Sequence, residues 1–593
     1  MKHISITDSW LKSFKNLPSG EVGGASFMKK IYIYALAGLL LSVSNSCNDY
    51  LEVDYYDILP GDYMFGSEEN AEAGLVGCYD SFYPTKKDAA ADLAMWGFKP
   101  QFMLANHPTL DTQASGWDKA YCTQDWTASS SEFEMLWVGH YSAISRCNIF
   151  LEGLEEMDNI KFANGEKAKK EMEAQARAIR AWNYLNLAKN FGRIPMLLTG
   201  ETYNNTPSKP RPETEDETWN QIVEDLAYAA NILDWTPLNG EYGRITKGFC
   251  LSYKAIAKMY QGKYDEAKVL FKQVIESNTY SLLPCYSYLF DPERAWTAED
   301  VFAVVMWTDN GNNMGGTNGW DPQEDHYMFA CYSTASMEYS GWGSLFVSWE
   351  CYNSFEEGDR RRTASMVALG ETNPWTGQTI GANGAPNVKT GAEYMPNISS
   401  LKYWRMNCDY WTVINQPFAI RTLRYAEVLL DYAECCFRTG DQTTGWEVIR
   451  QVRERAFGNQ EVTLNDSEYP IPMLTETVQV PDAQNYYSQY KADKGYSAET
   501  WLVAVNMERR HEFNAEYSLF YDLKRSGMLA EFIDNEYPKN VGTDPGADPE
   551  GAYNDWRTYR TFENNMNKML FPIPEKEILT NNGISPEDQN PGY

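Results

Sequence analysis

Apolar residues recur every three to four positions along much of this chain, which is the spacing of an amphipathic α-helix. The pattern predicts helices over residues 67–83, 131–157, 165–191, 214–233, 498–513 and 517–527. Gly192 ends the third of these, and Thr214 followed by Glu217 is typical of a capping box at the start of the fourth. Between residues 92 and 131 the period fades, and we expect an aromatic loop there.

Two helical hairpins are predicted within this pattern, at residues 246–277 and 424–457. In the first, Gly262 turns the chain between two helices, as in a tetratricopeptide hairpin, where a small residue lets the helices approach closely. Shifted by 178 residues, the second copy carries Gly445 where the first has Ala267. Because 178 is not a multiple of the repeat's period of about 34 residues, the copies are not in tandem. We infer an insertion between them.

The inserted segment, residues 282–423, differs from the helical segments in composition. It is rich in Gly, Asn, Pro and Trp, and short apolar runs such as Val301–Met306 predict a few short strands. Exposed functional residues tend to lie on irregular segments of this kind. We therefore expect a helical repeat scaffold that carries a long, irregular, aromatic insertion.

Aromatic residues in the predicted loops are the candidate binding residues. Sugar rings present apolar C–H faces, so a carbohydrate site needs flat aromatic rings with amides and carboxylates around them. Four tryptophans have small or polar loop neighbours: Trp96, Trp117, Trp320 and Trp342. Second-rank candidates are Tyr327, Trp375 and Asn106. Helical stripes contain three further tryptophans that we expect to be structural: Trp137, Trp182 and Trp446.

Residues 28–46 have the layout of a secretory signal. Two lysines precede thirteen uncharged residues, Ile31–Val43, and small or polar residues then lead to Cys47. Such a stretch is shorter than the roughly 20 residues of a membrane-spanning helix. A cysteine in this position is typical of a bacterial lipobox, in which the thiol is acylated, although Asn45 departs from the usual small residue. We predict an upstream extension at 1–27, a lipoprotein signal peptide at 28–46 and a single mature domain at 47–593.

Composition narrows the range of partners and cofactors. The net charge of −31 argues against nucleic acid, because a phosphate binder needs a basic surface. The eleven cysteines show no CxxC pair and no Cys/His spacing typical of zinc, and Cys435 and Cys436 are expected to be buried thiols. Residues 309–325 are rich in oxygen ligands but fail as an EF-hand loop, since Met314 replaces the turn glycine. We expect no cofactor, and a bound calcium ion stays open.

Charged residues in two segments are predicted to be structural. Residues 356–362 read EEGDRRR, which is typical of salt bridges at a helix end. Glu508, Arg509, Arg510 and Glu512 are expected to form an ion-pair network between helices rather than a site of chemistry.

Six segments in order along the mature chain resemble the SusD/RagB family of surface lipoproteins of Bacteroides-type bacteria. They are CNDYLEVDYYDILP at 47–60, ARAIRAWNYLNLAKNFGRIPMLL at 176–198, RITKGFCLSYKAIAKMYQGKYDEA at 244–267, RYAEVLLDYAE at 424–434, ERRHEFNAEYSLFYDLKRSG at 508–527 and FPIPEKEILTNNGISPEDQNPGY at 571–593. Each segment alone is modest, but six in the family's order are specific.

The resemblance implies an all-α, tetratricopeptide-like scaffold of about four helix pairs, with an irregular ligand-facing insertion at about 282–423. It implies a lipid-anchored, surface-exposed protein of the cell outer membrane that captures oligo- or polysaccharide. It further implies transfer of this glycan to a SusC-like TonB-dependent transporter, contact with the membrane only through the lipid anchor, and no catalytic activity.

Three other functions stay open at this stage. Some members of the family bind peptides. A glycoside hydrolase needs two carboxylates about 5 to 10 Å apart, and among 82 acidic residues some pair will always meet that condition. The chain has no GxSxG, HExxH or phosphate-loop motif. Helical repeats also serve as scaffolds that bind proteins.

Overall fold

Helices dominate the part of the chain that the computed structural model describes, which comprises residues 64–82, 98–114, 120–123, 126–290, 296–306, 345–368, 370–372, 387–390, 393–396, 398–402, 418–458, 479–537 and 566–593. All of these residues belong to one compact unit, Ile58–Tyr593. The helices are α1 (Glu68–Tyr79), α2 (Phe98–Asn106), α3 (Ala120–Thr123), α4 (Ser131–Glu156), α5 (Glu166–Phe191), α6 (Glu215–Ile232), α7 (Lys247–Tyr260), α8 (Tyr264–Glu276), α9 (Trp349–Asn353), α10 (Arg361–Ser365), α11 (Tyr425–Arg438), α12 (Gln442–Ala456), α13 (Ala483–Lys494), α14 (Thr500–Phe513), α15 (Leu519–Ser526), α16 (Leu529–Glu536) and α17 (Glu575–Thr580). The strands are β1 (Thr112–Gln113), β2 (Asp300–Met306), β3 (Phe346–Val347), β4 (Met366–Ala368), β5 (Asn387–Thr390), β6 (Glu393–Pro396), β7 (Ile398–Ser400) and β8 (Phe418–Arg424).

Successive helices pack against one another in a continuous stack. From α4 to α8 each helix packs on the next one along the chain. α8 then packs on α11, which lies beyond the insertion, and α11 packs on α12. Each helix buries its apolar stripe against its neighbours, which is how tetratricopeptide-like repeats build a core. The predicted helical repeat scaffold is confirmed, and the insertion does not interrupt its packing.

Both predicted hairpins are confirmed. α7 ends at Tyr260 and α8 begins at Tyr264, and between them Gly262 has a φ of 71°, which favours glycine. Ala267, the small residue of the first hairpin, is fully buried. In the second hairpin a Cβ on Gly445 would lie 2.6 Å from the ring of Phe437 in α11. Small residues therefore allow the close approach that the pattern predicted.

Short strands lie at the insertion and beside it. β2 and β8 pair antiparallel at the two ends of the insertion, with Val304 opposite Ile420. β1, β3, β7 and β4 form a sheet in that order, and β5 pairs with β6. The sheet of four strands joins two distant segments, because β1 comes from the predicted aromatic loop and its other strands come from the insertion.

The structure contains several helices that the sequence pattern did not predict, and α2 and α13 show why. Residues 92–131 contain α2 in place of the predicted loop. Residues 102–105 are consecutive and all buried, so this helix has no polar face there and shows no amphipathic period. α13 was not predicted for the opposite reason, since only Ala483 and Tyr487 are buried in it and its apolar stripe is too weak to recognise.

Some of the predictions concern residues outside the described ranges. These are the extension at 1–27, the signal peptide at 28–46, lipidation at Cys47 and the oxygen-rich segment at 309–325. They stay predictions. Within the described ranges, no helix combines the length and apolar character that crossing a membrane requires. Cys435 and Cys436 are buried free thiols, as predicted.

Candidate functional site

Most of the predicted ligand residues lie outside the described residues. These are Trp96, Trp117, Trp320, Tyr327, Trp342 and Trp375. Their contact with a ligand stays a prediction. The strands on either side of these residues are described. They show which of the segments that carry the predicted ligand residues start from neighbouring positions in the fold.

Asn106 is the one predicted ligand residue whose position is described. It is the last residue of α2 and is 1% exposed. Its side-chain amide donates hydrogen bonds to the carbonyl oxygens of Phe102, at 2.8 Å, and Glu516, at 2.7 Å. The side-chain amide of Asn106 therefore donates to two backbone carbonyl groups inside the protein. We assign Asn106 a structural role, which corrects its selection as a ligand contact.

Two of the tryptophans predicted to be structural are buried, and the third is partly buried and packs against the core. Trp137 is fully buried, and its Nε1 donates to a carboxylate oxygen of Glu577 at 3.1 Å. Trp182 is also buried. Trp446 packs edge-on against Phe437, with 5.1 Å between the ring centroids. The prediction for these three residues is confirmed.

Strands β1 and β3 bring two tryptophan-bearing segments of the chain together. Gln113 of β1 pairs with Phe346 of β3 in antiparallel register. Trp117 follows Gln113 by four residues, and Trp342 precedes Phe346 by four residues. In an antiparallel pair these two directions lead away from the same end of the ladder. The segments that carry Trp117 and Trp342 thus begin side by side.

Strand β7 connects a third segment to the same sheet. Phe346 of β3 pairs with Ser399 of β7, and Val367 of β4 pairs with the other side of Ser399. The chain that follows β4 leads towards Trp375. Segments far apart in sequence therefore share one small sheet, although sequence periodicity gave no sign of it.

A buried ion pair fixes this sheet to the helical scaffold. Arg510 of α14 donates to both carboxylate oxygens of Asp111, with Nη2–Oδ1 at 2.7 Å and Nε–Oδ2 at 3.0 Å. Its Nη1 donates to Glu536 at 2.9 Å. The backbone carbonyl of Asp111 accepts a hydrogen bond from the Ser348 amide at 2.8 Å. One residue beside β1 is therefore held by the scaffold through its side chain and by the β3 segment through its backbone.

The same helix anchors the insertion through further charged pairs. Arg361 of α10 bonds Glu508, at 2.8 Å, and Glu512, at 3.1 Å. Lys402, just after β7, bonds Glu516 at 2.6 Å. The whole buried cluster comprises Glu299, Asp359, Arg361, Lys402, Arg424, Arg453, Arg455, Glu508, Glu512 and Glu516. Its members come from the repeat helices, α14 and the insertion, so it joins all three.

Neighbouring cations lower the pKa values of Glu508, Glu512 and Glu516 in this cluster, whereas burial raises the pKa of Asp359. Burial would raise the pKa of Glu508, but the guanidinium groups of Arg361 and Arg453 overcome it and hold that pKa at about 2. For His511 burial is the main cause, and it lowers the pKa to about 3, so this imidazole is neutral. Burial also lowers the pKa of Lys402, to about 8, against the opposing effect of Glu516. These acids are saturated by arginines, which suits a structural role.

The predicted network at 508–512 is confirmed, and it is larger than the sequence indicated. Arg509 bonds Glu434 of α11 at 2.8 Å, which is the helix-to-helix pairing that was predicted. The contributions of Asp111 and Lys402 were missed because both lie in segments without a helical period. A dense run of Arg and Glu inside a helix was the only signal available. Among the described residues, no group of three or more His, Cys, Asp or Glu side chains is arranged to hold a metal ion.

Comparison with known proteins gives the family. The model of the SusD family matches residues 301–593. A second model, described as starch-binding associating with outer membrane, matches residues 76–260. The chain belongs to the SusD/RagB family. The two matches together cover most of the helical stack, most of the insertion and the C-terminal segment, and they leave residues 261–300 between them.

Relatives of this SusD family member cover almost its whole length. A SusD-like protein of Formosa agariphila is 27% identical in an alignment of 533 residues that covers 85% of this chain and 93% of that protein. The solved structure of a SusD superfamily protein from Bacteroides vulgatus is similar with a TM-score of 0.64 and 20% identity, covering 89% of this chain and 99% of that one. A laminarin-binding SusD-like protein has a TM-score of 0.59 and 20% identity, covering 89% and 100%. These structures confirm the tetratricopeptide-like fold.

Proposed function

We propose that this protein captures a glycan at the bacterial surface and passes it to a SusC-like TonB-dependent transporter in the outer membrane. In this proposal Cys47 carries the lipid anchor, and the protein performs no catalysis. Family membership supports glycan capture, since a relative of the same fold is described as laminarin-binding. The description of the second family model, starch-binding associating with outer membrane, supports the location.

The pairing of β1 with β3 is the observation that carries the proposal. Each residue extends a chain by at most about 3.6 Å, so Trp117 and Trp342 each lie within about 14 Å of the paired residues Gln113 and Phe346. We propose that the two indoles form the core of the glycan site. Two tryptophan rings supply a rigid apolar surface for sugar C–H faces at little cost in side-chain entropy.

The strength of the anchoring supports the same assignment. A binding surface keeps its affinity when its aromatic side chains are held in place before the ligand arrives. The Asp111–Arg510 pair and the Lys402–Glu516 pair fix the described flanks of these segments to α14 and the turn after it.

Absence of catalysis is proposed on chemical grounds. A glycoside hydrolase requires one carboxylate with a raised pKa as acid and a second that reaches the sugar. Three acids that anchor the insertion, Glu508, Glu512 and Glu516, are buried, have lowered pKa values and are paired with arginine or lysine. They support the scaffold and cannot serve as such a pair.

Affinity electrophoresis against polysaccharides, followed by calorimetry, tests the proposal. Wild-type protein should be retarded by at least one glycan without releasing new reducing ends. The double variant Trp117→Ala/Trp342→Ala should lose about tenfold or more in affinity, since two stacking contacts are removed. Leu579→Ala, which truncates a side chain that is 76% exposed, is the matched control and should bind as wild type does.

Each other outcome has a distinct meaning. Release of new reducing ends would show that the protein hydrolyses the glycan and would contradict the proposed absence of catalysis. Binding of peptides but of no glycan would favour the peptide-binding alternative. Unchanged affinity of the double variant would show that the site lies elsewhere.

The anchor and the partner need a separate experiment in cells. Cys47→Ala should leave the membrane fraction of a strain that lacks the transporter, whereas the wild-type protein should remain. Wild-type protein purified from outer membranes in mild detergent should carry a TonB-dependent transporter with it. Membrane retention of Cys47→Ala in that strain would contradict lipid anchoring, and isolation without a transporter would contradict the partner.

A further inference from the structure

Tyr242 is an aromatic residue whose side chain is mostly exposed and therefore contributes little to the stability of the fold. Its side chain is 73% exposed, and it is the one aromatic residue among the large exposed apolar side chains in the described part of the chain. It lies in the loop between α6 and α7, residues 233–246. A ring left in water contributes little to folding, because stabilisation follows the apolar area that is buried. Its chemistry therefore points to a contact outside the chain.

The Tyr242 ring is held in place by Trp296. The two rings are stacked, with 5.9 Å between their centroids and 28° between their planes. Trp296 is half-buried and lies just before β2, so it is tied to the β2–β8 pair. Gly243 has a φ of 96°, and a Cβ there would lie 3.4 Å from the indole. A Cβ at that distance would make an ordinary contact, so the positive φ and not lack of space favours glycine here, and most of the Tyr242 side chain remains exposed.

Hydrogen bonds and salt bridges tie the loop that carries Tyr242 to itself and to α1. Its base is closed by the Lys247 amide, which donates to the Asp234 carbonyl at 2.8 Å. Arg244 donates to Glu241 at 2.8 Å and also bonds Glu72 of α1. Tyr242 thus sits between two residues that form a salt bridge with each other. A ring fixed in advance loses little entropy when it binds a ligand.

We propose that Tyr242 and Trp296 form a second glycan-binding surface, which stacks against one neutral pyranose ring. The surface is too small for a stable protein interface, which buries about 800 Å² per partner, but a single ring face is enough for one sugar. The exposed side chains of Asn239 and Glu241 supply hydrogen-bond groups for its hydroxyls.

A neutral sugar suits the charges around this surface. The guanidinium of Arg244 is already bridged between Glu241 and Glu72, which leaves an excess of negative charge at the loop. The chain as a whole has a net charge of −31. Uronic acids and sulfated sugars would therefore be repelled.

The second surface is carried by elements different from those of the first. Tyr242 belongs to a loop between repeat helices, whereas Trp117 and Trp342 flank the β1–β3 pair. Two contacts on one polysaccharide chain raise the overall affinity beyond that of either alone. The inference shares with the proposed function the premise that the ligand is a glycan, and its test separates the two.

Full-length mature protein is tested by affinity electrophoresis on laminarin, soluble starch, xylan and galactomannan. On a glycan that retards the wild-type protein, Tyr242→Ala should reduce affinity about three- to tenfold, as expected for one lost stacking contact. Tyr242→Phe keeps the ring and should stay within about twofold. Ile160→Ala truncates a side chain that is 86% exposed and is the control for loss of exposed apolar area. The residual retardation of Trp117→Ala/Trp342→Ala should disappear when Tyr242→Ala is added.

The outcomes separate the two proposals. If Tyr242→Ala matches Ile160→Ala on a glycan that the wild type binds, the second surface is refuted and the proposed function stands. Retardation lost equally by Tyr242→Ala and Tyr242→Phe would also refute it, because the hydroxyl and not the ring would then matter. A wild-type protein retarded by none of the four polysaccharides would overturn both proposals.

Discussion

Removal of the Asp111 carboxylate should destabilise the protein and weaken glycan binding together. Asp111 is 1% exposed and receives two hydrogen bonds from Arg510, at 2.7 and 3.0 Å, and one from the hydroxyl of Tyr537. In Asp111→Ala the buried guanidinium of Arg510 keeps Glu536 as its remaining charged partner. Breaking a buried pair from one side costs about 3 to 5 kcal/mol, and we expect the lower end because Glu536 compensates in part.

Urea denaturation measures this change as a difference in the free energy of unfolding. Asp111→Asn keeps the shape and one acceptor and should cost about 1.5 kcal/mol. Glu447→Gln is the surface control: it removes the charge from a half-exposed pair with Arg450 and should cost less than about 1 kcal/mol. An Asp111→Ala variant within about 1 kcal/mol of that control would refute the view that the buried pair supports the sheet.

Glycan affinity gives the second readout of the same variant. Asp111 lies next to β1, from which the chain leads to Trp117. At a temperature where Asp111→Ala is still folded, its affinity should fall because that segment loses its fixed position. Wild-type affinity in the folded variant would show that the ion pair stabilises the fold without positioning the site.

Further predictions concern the helix crossing and the dependence on pH. Gly445→Ala places a Cβ 2.6 Å from the Phe437 ring and should lower the free energy of unfolding by about 1 to 3 kcal/mol. Gly139→Ala is the control, because its Cβ would have no neighbour within 4 Å, and it should raise the free energy of unfolding by up to about 1 kcal/mol. Equal effects of the two variants in urea denaturation would contradict close packing at residue 445. The pKa of Glu508 is lowered from 4.5 to about 2, so its stabilisation is complete above pH 4.5 and is lost as the pH falls through 2. The pKa of His511 is lowered from 6.5 to about 3, so its contribution is present above pH 6.5 and is lost as the pH falls towards 3. The free energy of unfolding should therefore decrease from pH 6.5 to pH 2, and a flat profile from pH 7 to pH 4 would contradict the buried cluster.

The long amphipathic helices could be read from the sequence because their packing is local. In α6 and α8 the buried residues recur every three to four positions and pack against helices adjacent in the chain, so the period of the stripe survives in the sequence. The hairpin glycines were equally visible, since a turn or a close helix crossing imposes its requirement at one position. Gly262 and Gly445 are examples.

For the candidate site, the sequence indicated residue types but not which segments lie together. Residue chemistry singled out Trp117 and Trp342, but nothing in the sequence indicated that the strands flanking them pair, because Gln113 and Phe346 are 233 positions apart. Asn106 shows the opposite error. Its loop-like neighbours suggested exposure, whereas its amide bonds the backbone at Phe102 and Glu516 inside the protein.

The sequence alone was enough to predict the helical repeat scaffold and the insertion and to indicate the family, because periodicity and residue type are local properties. Only the tertiary structure decided which segments meet. It joined β1 to β3, bound Asp111 to Arg510 across 399 positions, and stacked Tyr242 on Trp296 at an exposed loop. Such contacts depend on the path of the chain between distant residues, and no short window of sequence contains that path.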